Sequence, residues 1–90
     1  MEKALVSVTG VDKPGIIAKV SAVLYEMNIN VLEISQTILD GYFTMLMIVD
    51  MSAANASFSD VSKRLETVGA EIGEAVAIQR AAIFDAMHRI

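Results

Sequence analysis

The segment Thr9-Gly10-Val11-Asp12-Lys13-Pro14-Gly15 lies between an apolar run and an amphipathic one. Pro14 suits the first helical position, where a missing N–H costs nothing. Gly15 has no Cβ, so the free amides of a helix start stay open to close approach. Those amides and the positive end of the helix dipole form a small anion site. A carboxylate can sit there, with Asp12 placed to meet a neighbouring ammonium. The chemistry this points to is recognition of an amino acid. A helix start with no further role, its first turn capped by Asp12, is the competing reading.

Other polar residues divide the same way. Asn28 suits a left-handed helix C-cap better than a ligand contact. Asn30 stands at the start of a strand, where it either faces solvent or reaches a ligand. Gln36 interrupts an apolar strand face and serves an interface or a pocket. Ser35 and Thr37 can hydrogen-bond across a dimer seam. Glu71 and Glu74 flank a loop and are expected to be solvated. His88, the single histidine, has no Asp or Ser partner at triad spacing. The acidic residues form no dense metal-ligand cluster. There is no Walker motif, dinucleotide fingerprint or nucleophile elbow. No catalytic residue, metal or cofactor is expected.

The elements that must position these residues follow from periodicity. Ala4 to Thr9 alternates as a buried strand, with Val6 and Val8 on one side and Leu5, Ser7 and Thr9 on the other. From Pro14 to Met27, Ile16, Ile17, Val20, Val23, Leu24 and Met27 recur at helical spacing. Asn30 to Leu39 reads as a second strand, with Leu32, Ile34, Gln36 and Ile38 on one face and Val31, Glu33, Ser35, Thr37 and Leu39 on the other. Asp40-Gly41 is a strong hairpin signal leading into a third strand, Tyr42 to Met51. Both faces of that strand are mostly apolar, which places it inside the sheet. Ser52 to Ser57 is a loop of small residues, and Ser57 or Ser59 can cap a helix over Phe58 to Gly69. Glu74 to Arg80 is a fourth strand, and Ala81 to Ile90 a short terminal helix.

The order β-α-β-β-α-β is the α+β, ferredoxin-like pattern: a four-stranded antiparallel sheet with two helices on one face. Residues 1–80 make one domain, and 81–90 a helical tail of the same domain. The second strand is expected at an edge. A second copy is expected to cover apolar surface left open, since a free edge invites aggregation.

Composition bounds the function. With 54% hydrophobic residues in 90 and a mean hydropathy of +0.54, the chain carries more apolar material than one small core needs. This favours a homodimer or a higher oligomer. Seven basic residues against eleven acidic give a charge of −4, which argues against nucleic acid and anionic membranes. An RNA-recognition motif shares the strand order, but here the first strand has no aromatic residue for base stacking. The absence of cysteine excludes disulfides, thiolate metal sites and Cys nucleophiles. No signal peptide is visible, and the apolar runs are far too short to span a bilayer. A cytoplasmic protein is expected.

The turn Gly10-Val11-Asp12-Lys13-Pro14-Gly15, the helix opening Ile16-Ile17, the segment Asn28-Ile29-Asn30-Val31 and the strand Ile34-Ser35-Gln36-Thr37 together resemble an ACT domain. The likeness covers roughly residues 3 to 80. More narrowly, the chain resembles small stand-alone ACT proteins, and it is also similar to regulators of the glycine-cleavage repressor type and to the ACT segment of formyltetrahydrofolate deformylases. The resemblance implies regulation by a small ligand, commonly an amino acid bound at a dimer interface. It implies that Gly15 leaves room for the ligand, that Asp12 faces it, and that Asn30 reaches it from a partner subunit. The ligand-binding set expected is Asp12, Lys13, Pro14, Gly15, Ile16, Asn30 and Gln36. Some relatives carry a polar side chain such as His where this chain has Gly10. Most are attached to an output domain, so a separate effector protein is implied here. A ligand-free dimerisation or interaction module is the alternative.

Overall fold

The computed structural model describes residues 1–81, so the helix expected over 81–90, with His88, falls almost wholly outside the described residues. Strand β1 (Lys3–Val11) leads to helix α1 (Ile16–Glu26). Strands β2 (Asn30–Leu39) and β3 (Tyr42–Asp50) follow, then helix α2 (Phe58–Ile72) and strand β4 (Ala75–Arg80). The sheet order is β2-β3-β1-β4, and the β2–β3, β1–β3 and β1–β4 pairs are all antiparallel. The architecture is the expected ferredoxin-like one, with β3 inside the sheet and β2 at its edge.

Alternation decides which face is buried. Val6 pairs with Met47 on one side and Ile78 on the other, and Val8 with Met45 and Val76. All six are buried, against Val20, Val23 and Leu24 of α1 and Val61, Leu65 and Val68 of α2. Both helices therefore lie on one face. The opposite face carries Leu5, Ser7, Thr9, Leu46 and Ala77, all partly or fully exposed. Four of the methionines, Met27, Met45, Met47 and Met51, fill the core.

Several boundaries follow local chemistry. Asp40 and Gly41 take φ of 52° and 80°, the left-handed pair that a tight hairpin needs. Asn28 takes φ 58° just beyond α1. Its N–H donates to Tyr25 O, and the Ile29 N–H donates to Leu24 O, a Schellman ending. Ser57 rather than Ser59 caps α2, its hydroxyl accepting from the Asp60 N–H at 3.1 Å.

Three expectations change. Helix α1 begins at Ile16, two residues later than expected. Gly15 is its N-cap, and Pro14 stands in the preceding turn rather than at the first helical position. Helix α2 runs past Gly69 to Ile72, because Gly69 packs inside it and Gly73, at φ 73°, is the residue that ends it. In β2 the pairing slips between Val31 and Glu33: Val31 faces Val49 and Glu33 faces Ile48. This bulge puts Val31 on the same side as Ile34, Gln36 and Ile38, the helix side, and there Val31 alone of the four packs on the core. Simple alternation puts Val31 on the other side.

Candidate functional site

The site grows from the end of β1. Val11 pairs with Tyr42, and the next N–H, that of Asp12, donates to Gly41 O at 2.8 Å. The turn after β1 is thereby fastened to the β2–β3 hairpin. The chain then crosses to α1 through Lys13, Pro14 and Gly15. Gly15 takes φ 89°, and an added Cβ would meet nothing within 4 Å. Its backbone conformation favours glycine, and the space beside it is open.

No side chain caps α1, and its first turn holds no acidic residue. The Lys19 N–H makes the first helical bond, to Gly15 O at 2.9 Å. The N–H groups of Ile16, Ile17 and Ala18 precede it and have no carbonyl of their own helix to meet. Asp12 thus does not act as the cap that the competing reading requires; its side chain is exposed.

This helix start opens on a depression of about 260 Å³. Asp12, Lys13, Gly15 and Ile16 border it from the turn, and Ile17 and Ala18 from the helix. Gln36, Ile38 and Phe43 border it from β2 and β3. Ile17, one of the apolar residues at helical spacing, is 40% exposed on this wall, whereas Phe43 is buried beneath it. The arrangement offers amide donors and a positive dipole end, one carboxylate, one carboxamide and an apolar wall. A zwitterion with an apolar side chain matches that set chemically.

Of the expected residues, Asp12, Lys13, Gly15, Ile16 and Gln36 border this depression; Pro14 shapes the turn behind it. Asn30 lies at the far end of β2, opposite Asp50. It borders a second depression of about 250 Å³ with Tyr25, Asn28, Ile29 and Ala53. One polar group there is already engaged: Asn28 Nδ2 donates to Ala53 O at 2.9 Å. Within one chain, Asn30 and Asp12 do not share a site.

Glu74 overturns its expectation. It is buried, and its two carboxylate oxygens have no hydrogen-bond partner among the described residues. Lys13 Nζ lies 3.6 Å from Oε2 and donates to Ile72 O at 2.8 Å. The site's own lysine is therefore tied to the α2–β4 junction. Alternation does carry a signal of this burial: Glu74 stands two residues before Val76 and four before Ile78, both buried, and reading it as a loop residue hides that. Glu71 is exposed, as expected.

Comparison with known proteins agrees with this architecture. Residues 2–79 match the family model described as ACT domain. A UPF0237 protein of Methanococcus maripaludis is 46% identical over 90 residues, covering 100% of both chains. An ACT domain protein from Streptococcus pneumoniae superposes with a TM-score of 0.81 at 41% identity, over 92% of this chain and 93% of that one. The regulatory subunit of aspartate kinase from Thermus thermophilus, in its ligand-free form, gives 0.65 at 30% identity, over 87% of this chain and 50% of that one. A formyltetrahydrofolate deformylase from Pseudomonas syringae shares the fold, with a TM-score of 0.83 at 21% identity over 91% of this chain and 28% of its own. By sequence and by fold, this chain belongs to the ACT domain family.

Proposed function

We propose that this protein is a non-catalytic regulatory module of the cytoplasm that binds an amino acid between two copies of itself and signals through a separate effector protein. The observation that carries the reading is the uncapped start of α1, opening beside Asp12 onto an apolar-walled depression. The ligand carboxylate sits on the amides of Ile16 to Ala18 and its ammonium beside Asp12. Charge-assisted hydrogen bonds of this kind contribute about 1.5–3 kcal/mol each. Ile17, Ile38 and Gln36 then meet the ligand side chain.

The second copy is supported by the edge strand. Ile34, Ile38 and Leu39 of β2 are 52%, 56% and 74% exposed. Antiparallel pairing of two β2 strands would satisfy their free backbone groups and set the start of one strand beside the end of the other. The partner's Asn30 would then approach the Gln36–Ile38 end, which is how a residue remote within one chain joins the site. A ligand held by both copies strengthens the dimer by linkage and shifts the population that an effector reads.

Titration calorimetry against pooled standard amino acids, with light scattering for mass, tests the reading. Saturable binding by a dimer, lost in Asp12→Ala and Asn30→Ala, is expected. A folded dimer silent to every pool would instead identify a ligand-free dimerisation module, the reading that the exposed apolar β2 face alone favours. A monomer at every concentration would remove both.

A further inference from the structure

Gly10 lies in the β1–β3 ladder opposite Phe43, and no turn requires it. What its missing side chain provides is room. A Cβ there would stand 2.6 to 2.7 Å from the Glu74 carboxylate atoms, closer than any real contact. Across the same gap, a Cβ on Gly73 would stand 2.8 Å from Lys13 Nζ. Two glycines on separate elements thus clear space for one ion pair. That pair joins the turn before α1 to the junction after α2.

Packing filler would not be a carboxylate. Burying a carboxylate without hydrogen bonds is costly, and a lysine at 3.6 Å with a 38% exposed side chain offsets only part of that cost. A buried pair of this kind is weak as a source of stability but specific in geometry. Lys13 is the only residue between β1 and α1 whose side chain is tied to α2 or β4 in the described residues.

We infer that Lys13 and Glu74 form a latch that positions the Asp12–Gly15 turn, and with it the open start of α1. The inference takes that turn as the binding end of the molecule, as proposed above, but its test needs no ligand. The latch engages the Lys13 ammonium with Glu74 and Ile72 O, although Lys13 itself borders the depression. It leaves Asp12 as the free charged side chain there and holds the α1 amides clear. Glu74 is a positioning residue and touches no ligand.

Amide hydrogen exchange by NMR on the full chain tests it. The Asp12 and Lys19 amides report from the two sides of the turn, through their bonds to Gly41 O and Gly15 O. In Glu74→Gln, which keeps the shape, and in Lys13→Met, which keeps most of the stem, both amides are expected to exchange about tenfold faster. Core amides such as those of Val6 and Met45 should change much less. The double variant should add little to either single change, because both remove one interaction. Glu26→Gln, which breaks the exposed pair with Arg64, should leave the two reporters unchanged. Unchanged reporters in both latch variants would overturn the inference. So would equal acceleration of every amide, which would make the pair a contributor to global stability alone. Amino-acid binding that is absent while the reporters respond would remove the proposed function and leave the latch standing.

Discussion

The two ends of the sheet are built on opposite terms. At the end where β1 begins and β3 stops, polar groups are met. Asp50 Oδ1 accepts from the Ser52 hydroxyl and N–H and from the Glu2 N–H. Asn55 Nδ2 donates to Glu26 O, Ser57 caps α2, and α1 closes in a Schellman ending. At the other end, α1 starts uncapped and the Glu74 carboxylate oxygens have no hydrogen bond among the described residues. Gly15, Gly41 and Gly73, all at positive φ, gather there. One end closes the fold. The other leaves donors, acceptors and space unspent, and a ligand-responsive module needs such an end.

Openness in polar terms does not mean looseness. Gly69, inside α2 near the open end, has no room for a Cβ: one would stand 2.7 Å from the Glu74 carbonyl oxygen and 3.0 Å from Val76 Cγ2. Its N-terminal neighbour Val68 and its strand contact Val76 are both buried, so the helix cannot simply move outward. Gly69→Ala is expected to cost about 1–3 kcal/mol, the range for overpacking. In a domain of this size each kcal/mol lowers the melting temperature by about 4–8 °C. A melt within 2 °C of the parent would show that the junction yields (~0.5 kcal/mol or less) and that the open end is soft.

The closed end is tested next at its cap. Ser57→Ala removes the acceptor of the Asp60 N–H and should cost about 1 kcal/mol, read by urea unfolding with an unchanged m-value. A smaller loss would mean that water caps α2 equally well, and the contrast between the two helix starts would shrink.

A third effect is present at neutral pH and disappears in acid. The Ser52 hydroxyl, then the Ser52 N–H, hold the Asp50 carboxyl below its ordinary value; desolvation opposes them, and the Glu2 N–H adds a smaller lowering. A folded-state value below the unfolded one means that the folded state releases this proton more readily. The stabilisation is therefore complete above the ordinary carboxylate range and is lost as pH falls through the depressed value. Asp50→Asn should melt lower than the parent at neutral pH, and the two should converge in strong acid. Parallel melting curves at every pH would mean that these hydrogen bonds do not favour the charged form in solution.

How much of this was legible depends on how far each signal had to travel. The Asp40-Gly41 turn, the Asn28 ending and the cap of α2 rest on a few adjacent residues; the first two stand where the sequence places them, and the structure selects Ser57 of the two serines offered for the third. The β-α-β-β-α-β order rests on periodicity within single elements and is equally plain. The side taken by Val31 depends on a bulge, and one extra residue reverses a period-two reading. Burial of Glu74 depends on the β1–β4 register and on α2 running three residues beyond Gly69. The alternation of Val76 and Ile78 extends back to Glu74 only when Glu74 is read as strand, and a loop reading hides it. The candidate site divides along the same line. Asp12, Lys13, Gly15 and Ile16 lie within five residues and are legible together, and Gln36 shows as a polar break in an apolar strand face, whereas Ile38 and Phe43 reach the depression only through the fold.

The smallest expected effect discriminates best between the two ends. A helix start that relied on Asp12 would lose about 1 kcal/mol on Asp12→Ala, as α2 should on losing Ser57. In the structure Gly15 is the N-cap and no side chain caps the helix, so the Asp12 carboxylate holds nothing together. Its backbone N–H, which does bond to Gly41 O, survives the substitution. Asp12→Ala should therefore stay within about 0.5 kcal/mol of the parent in urea unfolding, the range of a surface change away from special features. The same variant should abolish amino-acid binding. A stability loss equal to that of Ser57→Ala would show that Asp12 caps α1 in solution and would fill the anion site with the protein's own carboxylate. A near-zero loss joined to lost binding would mark Asp12 as a residue kept for its ligand, since the fold does not require it.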